Sequence, residues 1–98
     1  MILVIDDDRA VRISVQVELE DGGHKVHSVA SGEDALQFLK GGAIVSLILS
    51  DYNMPGGMNG IELGRQVRAL RLEMPLVLMT GEPTPQLLDE AESAGFVE

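Results

Sequence analysis

A chain of 98 residues, 45% apolar and 23% charged, suits one globular domain spanning 1–98 with a modest core. Its seven basic and sixteen acidic residues leave a net charge of −9, which disfavours nucleic acid and anionic lipid as direct partners and favours a cation. There is no cysteine, so disulfides, thiolate metal sites and Cys nucleophiles are excluded. The opening "MILVI" is too short for a signal peptide or a membrane span, and a cytoplasmic protein is the default expectation.

The first element is "ILVI" (2–5), a continuous apolar and mostly β-branched run stopped by Asp6-Asp7-Asp8, as suits a strand buried on both faces. Asp8 is expected to cap the next helix. That helix is contested by its own pattern. In "VRISVQVEL" (11–19) the apolar residues alternate, which taken alone describes a strand. Wound as a helix, Val11, Val15 and Leu19 form one stripe, and Ile13 and Val17 fall on the opposite side. The preceding strand and the following Gly22-Gly23 favour the helix. "VHSVA" (26–30) is a second, weaker strand. Ser31, with Asp34 three residues on, caps a helix through Ala35, Leu36 and Leu39, closed by Gly41-Gly42. "IVSLILS" (44–50) is the strongest strand. Asn59 caps a helix carrying Leu63, Val67 and Leu70, stopped before Pro75. "LVLMT" (76–80) is the fourth strand, and Thr84-Pro85 opens a further helix that ends at Gly95. Strands alternating with helices imply a parallel sheet built from βα units.

The stretch "DYNMPGGMNGIE" (51–62) admits two chemistries. Asp51, Asn53, Gly56 and Glu62 stand at the first, third, sixth and twelfth positions of a calcium-binding loop. Pro55 stands where that loop needs a side-chain oxygen, and "IVSLILS" is a poor entering helix, so the calcium loop is the weaker candidate. In an open parallel sheet, ligands bind beyond the carboxyl ends of the strands. Asp6 and Asp7 end the first strand, Asp51 follows the third and Thr80 ends the fourth. Adjacent strands lie about 4.8 Å apart, so if the first and third are neighbours, three carboxylates converge on one small volume. Such a cluster repels itself unless a hard cation neutralises it. Oxygen-only ligands suit Mg2+, which keeps some of its waters and a place for a phosphate oxygen. Thr80 adds a hydroxyl from the far side. Any one of these pieces alone is an ordinary turn. Their common placement at strand carboxyl ends is what argues for a site.

"ILVIDDD", "LILSDYNMPGGMNGIEL", "PLVLMTGEP" and "AESAG", in that order, resemble the receiver domain of two-component response regulators across essentially the whole chain. The resemblance implies a flavodoxin-like, doubly wound α/β fold with strand order 2-1-3-4. It also implies an aspartyl-phosphate switch, with Asp51 as phosphoacceptor. Asp6 and Asp7 would hold Mg2+ with Asp51, Asn53 would contribute its backbone carbonyl, and Thr80 would bond the phosphoryl group. The implied partner is a histidine kinase or phosphotransfer protein. The chain itself is then a phosphoacceptor and not an enzyme, and "MPGGMNG" with "TGEP" looks like receivers attached to hybrid histidine kinases.

One departure matters. Receivers carry a lysine at the end of a fifth strand and then a fifth helix, whereas this sequence stops at Phe96-Val97-Glu98. The fifth strand and helix are therefore expected to be missing, and neither Lys25 nor Lys40 lies at the carboxyl end of a core strand. Without a fifth strand, residues 76–80 form a bare edge, which with Ile13 and Val17 predicts a homodimer or higher assembly. Two other functions compete with the phosphoacceptor. One is a pseudo-receiver that binds a partner without being phosphorylated. The other is a Mg2+-dependent phosphatase, weakened because Asn53 stands where its general acid would be.

Overall fold

The computed structural model describes residues 1–52, 57–70, 74–79 and 96–97. Strand β1 (Ile2–Ile5) leads into helix α1 (Arg9–Asp21), then β2 (Val26–Val29), α2 (Gly32–Lys40), β3 (Leu47–Asp51), α3 (Gly60–Ala69), β4 (Leu76–Met79) and β5 (Phe96–Val97). The strands form one parallel sheet in the order β2-β1-β3-β4-β5. This is the flavodoxin-like arrangement, with the expected order 2-1-3-4. The expectation of a missing fifth strand is corrected: Phe96 pairs with Leu76 and Val97 with Val77. Two residues suffice for this because β4 presents its backbone along the whole edge, and pairing satisfies it. The helix expected over 84–94 lies outside the described residues.

The helix starts are those that the side chains dictate. Asp8 Oδ1 accepts the backbone N–H groups of Ala10 and Val11 at 2.9 and 3.2 Å. The Ser31 hydroxyl accepts from Asp34 N–H at 3.1 Å, and Asn59 Oδ1 from Glu62 N–H at 2.9 Å. Each satisfies a donor that has no partner within its own helix. The glycine pairs end α1 and α2 as expected. Gly23 and Gly42 adopt φ of 92° and 89°, a conformation that L side chains rarely take.

One face of the sheet is well covered. Leu3, Ile5, Ile48 and Leu76 pack with Ala35, Leu36 and Leu39 of α2 and with Ile61, Leu63 and Val67 of α3. At its margin His27 stacks on Phe38 with ring centroids 4.1 Å apart. The alternate positions Ile2 and Val4 are also buried, and here α1 approaches, its Gln16 accepting the Ser28 hydroxyl at 2.8 Å. The helix wins over the alternating pattern of 11–19, because a strand there could not connect two parallel neighbours. Yet no residue of α1 is fully buried. Val15 and Leu19 are half-buried, while Ile13 and Val17 are each 49% exposed on the outward side. Strand β3 begins later than its apolar run: Ile44 is 89% exposed, and pairing starts where Leu47 meets Ile2. Among the described residues, no helix is long and apolar enough to cross a membrane.

Candidate functional site

β1 and β3 are direct neighbours, with Ile5 opposite Ser50. That register brings the residues that follow Ile5 level with Asp51. Carboxylate oxygens of Asp6, Asp7 and Asp51 all lie within 4.8 Å of one another. Backbone bonds fix each strand end. Asp6 N–H donates to Val29 O at 3.2 Å, and Tyr52 N–H donates to Met79 O at 3.1 Å. The Arg12 guanidinium donates to the Asp6 carbonyl at 2.8 Å, tying α1 to the same corner. Gly60 opens α3 beside the strand end: its N–H donates to Tyr52 O at 3.0 Å, and a Cβ there would stand 2.5 Å from Asp51 O. Only glycine permits that approach.

The three carboxylates differ in environment. Asp6 is buried, Asp51 half-buried and Asp7 exposed. Burial pushes the Asp6 carboxyl above the ordinary aspartate range, and the negative charges of Asp51, Asp7 and Asp8 push in the same direction. Against them, Asp8 N–H donates to Asp6 Oδ1 at 2.9 Å and lowers it. The net effect is upward, so the cluster is electrostatically unfavourable as it stands. A donor set of three carboxylates, oxygen-only and mutually repelling, fits a hard divalent cation such as Mg2+.

Of the residues singled out from sequence, Asp6, Asp7 and Asp51 are brought together, and Asp8 caps α1 apart from its bond to Asp6. Asn53 and Thr80 lie outside the described residues. The calcium loop is disfavoured further, because the segment that enters Asp51 is strand β3 and not a helix. Lys25 and Lys40 are both exposed. Lys25 O accepts from Ile2 N–H at the amino end of the sheet, and Lys40 ends α2, which carries the chain back toward that end. Two contributors were not legible in advance. Arg12 reads as a solvated helix residue. Glu33 reads as a first-turn acid, although its carboxylate accepts Met58 N–H at 3.2 Å across the space between α2 and α3.

The family described as "Response regulator receiver domain" matches this chain over residues 2–98. The chain is 40% identical over 80 residues to the C4-dicarboxylate transport transcriptional regulatory protein DctD of Rhizobium meliloti (strain 1021), covering 82% of this chain and 17% of that protein. It is 36% identical over 99 residues to the transcriptional regulatory protein FixJ of Bradyrhizobium diazoefficiens, covering 99% of this chain and 46% of that one. It thus spans less than half the length of these relatives. Among solved structures, the Vibrio cholerae chemotaxis protein CheY4 superposes with a TM-score of 0.91 at 32% identity, covering 97% of this chain and 79% of that one.

Proposed function

The chain belongs to the response regulator receiver domain family, and on that premise we propose that Asp51 accepts a phosphoryl group from a phosphohistidine in a two-component phosphorelay. The observation that carries the proposal is the meeting of Asp6, Asp7 and Asp51 within 4.8 Å at the carboxyl ends of adjacent parallel strands. A carboxylate is a weak nucleophile, so its rate depends on position and on charge neutralisation at the transferring group. Strand β3 and the Tyr52–Met79 bond hold Asp51 in place. A carboxylate oxygen of Asp51 attacks phosphorus, forming an O–P bond as the N–P bond breaks. The electron pair of that bond stays on the imidazole of the donor, and Asp51 becomes a mixed anhydride.

Asp6, Asp7 and Asp51 are the proposed Mg2+ ligands, joined by the backbone carbonyl of Asn53. When bound, the ion supplies positive charge that offsets the repulsion at the phosphoryl oxygens. Thr80 is the proposed hydrogen-bond donor to the phosphoryl group. The chain is on this reading a phosphoacceptor and not a conventional enzyme, working in the cytoplasm, with residues 1–98 belonging to one receiver domain. Its donor is a histidine kinase or a phosphotransfer protein. A second copy is a further proposed partner. On the outward side of α1, Ala10, Ile13, Ser14 and Val17 form a stripe with Arg9 at one end and Glu20-Asp21 at the other, a charge pattern that antiparallel pairing of two α1 helices would complement.

Incubation with acetyl phosphate and Mg2+, followed by intact-mass measurement, tests the phosphoacceptor. One phosphoryl adduct is expected, absent in Asp51→Asn. The competing reading is a pseudo-receiver that binds a partner without being phosphorylated. A folded chain that binds Mg2+ yet takes up no phosphoryl group would decide for it.

A further inference from the structure

Strand β1 runs out of sheet partners at Ile5, which pairs with Val29 on one side and Ser50 on the other. Asp6 and Asp7 lie just beyond that last rung, and the chain bends at Asp7 before Asp8 caps α1. The Asp6 N–H still reaches Val29 O at 3.2 Å. Its carbonyl belongs to a residue that is only 4% exposed, and a buried backbone oxygen needs a donor where the ladder has ended. Arg12 supplies it: Nη1 donates to Asp6 O at 2.8 Å. The backbone N–H of the same residue donates to Asp8 O at 2.9 Å and closes the first turn of α1.

Asp7 is thereby bracketed. The peptide before it, joining Asp6 to Asp7, is held at its oxygen by the Arg12 guanidinium. The peptide after it, joining Asp7 to Asp8, is held at its N–H by Asp6 Oδ1, 2.9 Å away. The two soft dihedrals of a residue are rotations between its flanking peptide planes, so these two anchors set where the exposed Asp7 carboxylate points. We propose that Arg12 is a positioning residue for the acidic site: by holding the Asp6–Asp7 peptide it aims the Asp7 carboxylate at the volume shared with Asp6 and Asp51, and so raises the affinity for Mg2+. This rests on the reading of the three carboxylates as ligands of the cation.

The sign of the effect separates this role from electrostatics alone. Taking a positive charge away from the neighbourhood of a cation site should, by Coulomb's law, tighten Mg2+ binding. Losing a positioning bond should weaken it. Arg12→Gln is therefore expected to raise the Mg2+ dissociation constant about tenfold, the low end of what outer partners of metal ligands contribute, although it makes the chain more acidic. Glutamine is close to arginine in helix propensity, so α1 is kept. Arg12→Lys, with a charged donor for a single bond, should recover most of the loss. Arg9→Gln is the control: it removes the same charge from an exposed residue of the same helix and should leave the constant unchanged or lower it.

The test is a Mg2+ titration of the full chain and these variants, read by the fluorescence of Tyr52. That residue is the single tyrosine, in a chain without tryptophan, and it adjoins Asp51. Thermal melts establish that each variant is folded at the temperature of the titration, and Arg12→Met takes the place of Arg12→Gln if the latter is not. Hydrogen exchange at the Asp8 amide, read by NMR without Mg2+, reports the hold on the turn independently of any chemistry. Weakened Mg2+ binding with faster Asp8 exchange in Arg12→Gln, and neither in Arg9→Gln, supports the proposal. Unchanged or tighter Mg2+ binding in Arg12→Gln overturns it, as does an equal loss in Arg9→Gln. A wild-type chain with no Mg2+ response overturns it as well. A wild-type chain that binds Mg2+ but accepts no phosphoryl group refutes the phosphoacceptor alone and leaves the role of Arg12 to be judged by the titration and the exchange.

Discussion

Replacing Asp6 by Asn should stabilise the metal-free protein and at the same time diminish its response to Mg2+. Asp6 is 4% exposed and faces Asp51 with carboxylate oxygens no more than 4.8 Å apart. At that separation two unit charges repel by about 0.9 kcal/mol at the dielectric of water and by about 3.5 kcal/mol at an effective value of 20. Asp51 is half-buried, so the pair falls between these limits, and salt lowers it further. Relief of about 1–2 kcal/mol is the expected gain, with lost desolvation of the Asp6 charge acting in the same direction. Asparagine keeps an acceptor for Asp8 N–H, which bonds Asp6 Oδ1 at 2.9 Å, so the turn into α1 survives. In a chain of this size each kcal/mol moves Tm by about 4–8 °C. Thermal melts in chelator and in millimolar Mg2+ are the assay. Wild type should gain about 1.4 kcal/mol at ten times Kd, and Asp6→Asn much less. The two proteins should therefore differ most without the ion, with the variant the more stable. A variant less stable than wild type in chelator, or an equal Mg2+ shift in both, would refute the argument that these carboxylates form one repelling, cation-binding unit.

Acid dependence provides a second check, with two arms of opposite sign. Asp6 is raised, so between the ordinary aspartate value and its own the folded state holds a proton that the unfolded chain has lost; that contribution is full below the ordinary value and declines as pH rises through the raised one. Glu33 is lowered, so its contribution is present above the ordinary glutamate value and is lost as pH falls through the lowered one. Metal-free melts across pH should lose the decline that starts above the ordinary aspartate value in Asp6→Asn and the decline that starts below the ordinary glutamate value in Glu33→Gln, and exchange of those two behaviours would contradict the assignment. Gly60→Ala should cost about 1–3 kcal/mol in urea unfolding, because its Cβ would meet Asp51 O at 2.5 Å and Leu78 Cδ1 at 2.9 Å; a change within about 0.5 kcal/mol would show that α3 can shift freely. Sedimentation at rising concentration should show association that Ile13→Asp abolishes, whereas a wild-type chain that stays monomeric throughout removes α1 as a contact between copies.

Local chemistry in the sequence determined where most elements start and stop. Asp8, Ser31 and Asn59 cap helices because their short side-chain oxygens reach backbone donors within their own turn, and the glycine pairs end helices because one residue must take positive φ. The run "ILVI" declared a central strand for the same kind of reason: it is apolar at every position. Strand order was legible only through the resemblance, since nothing in 2–5 or 47–51 says which strand lies beside which. Register then decided what the carboxylates are. Asp6 and Asp7 are adjacent in the chain, yet one is buried and the other exposed, and the pairing of Ile5 with Ser50 is what brings Asp51 to both. The fifth strand escaped the sequence because two residues carry no periodicity; an unsatisfied edge on β4 recruits Phe96 and Val97 through backbone bonds to which any residue but proline can contribute. Glu33 and Arg12 escaped for a related reason. Each acts on backbone atoms that are 25 and 6 residues away, and a backbone N–H or carbonyl bears no mark in the sequence of which side chain will reach it until the chain has folded.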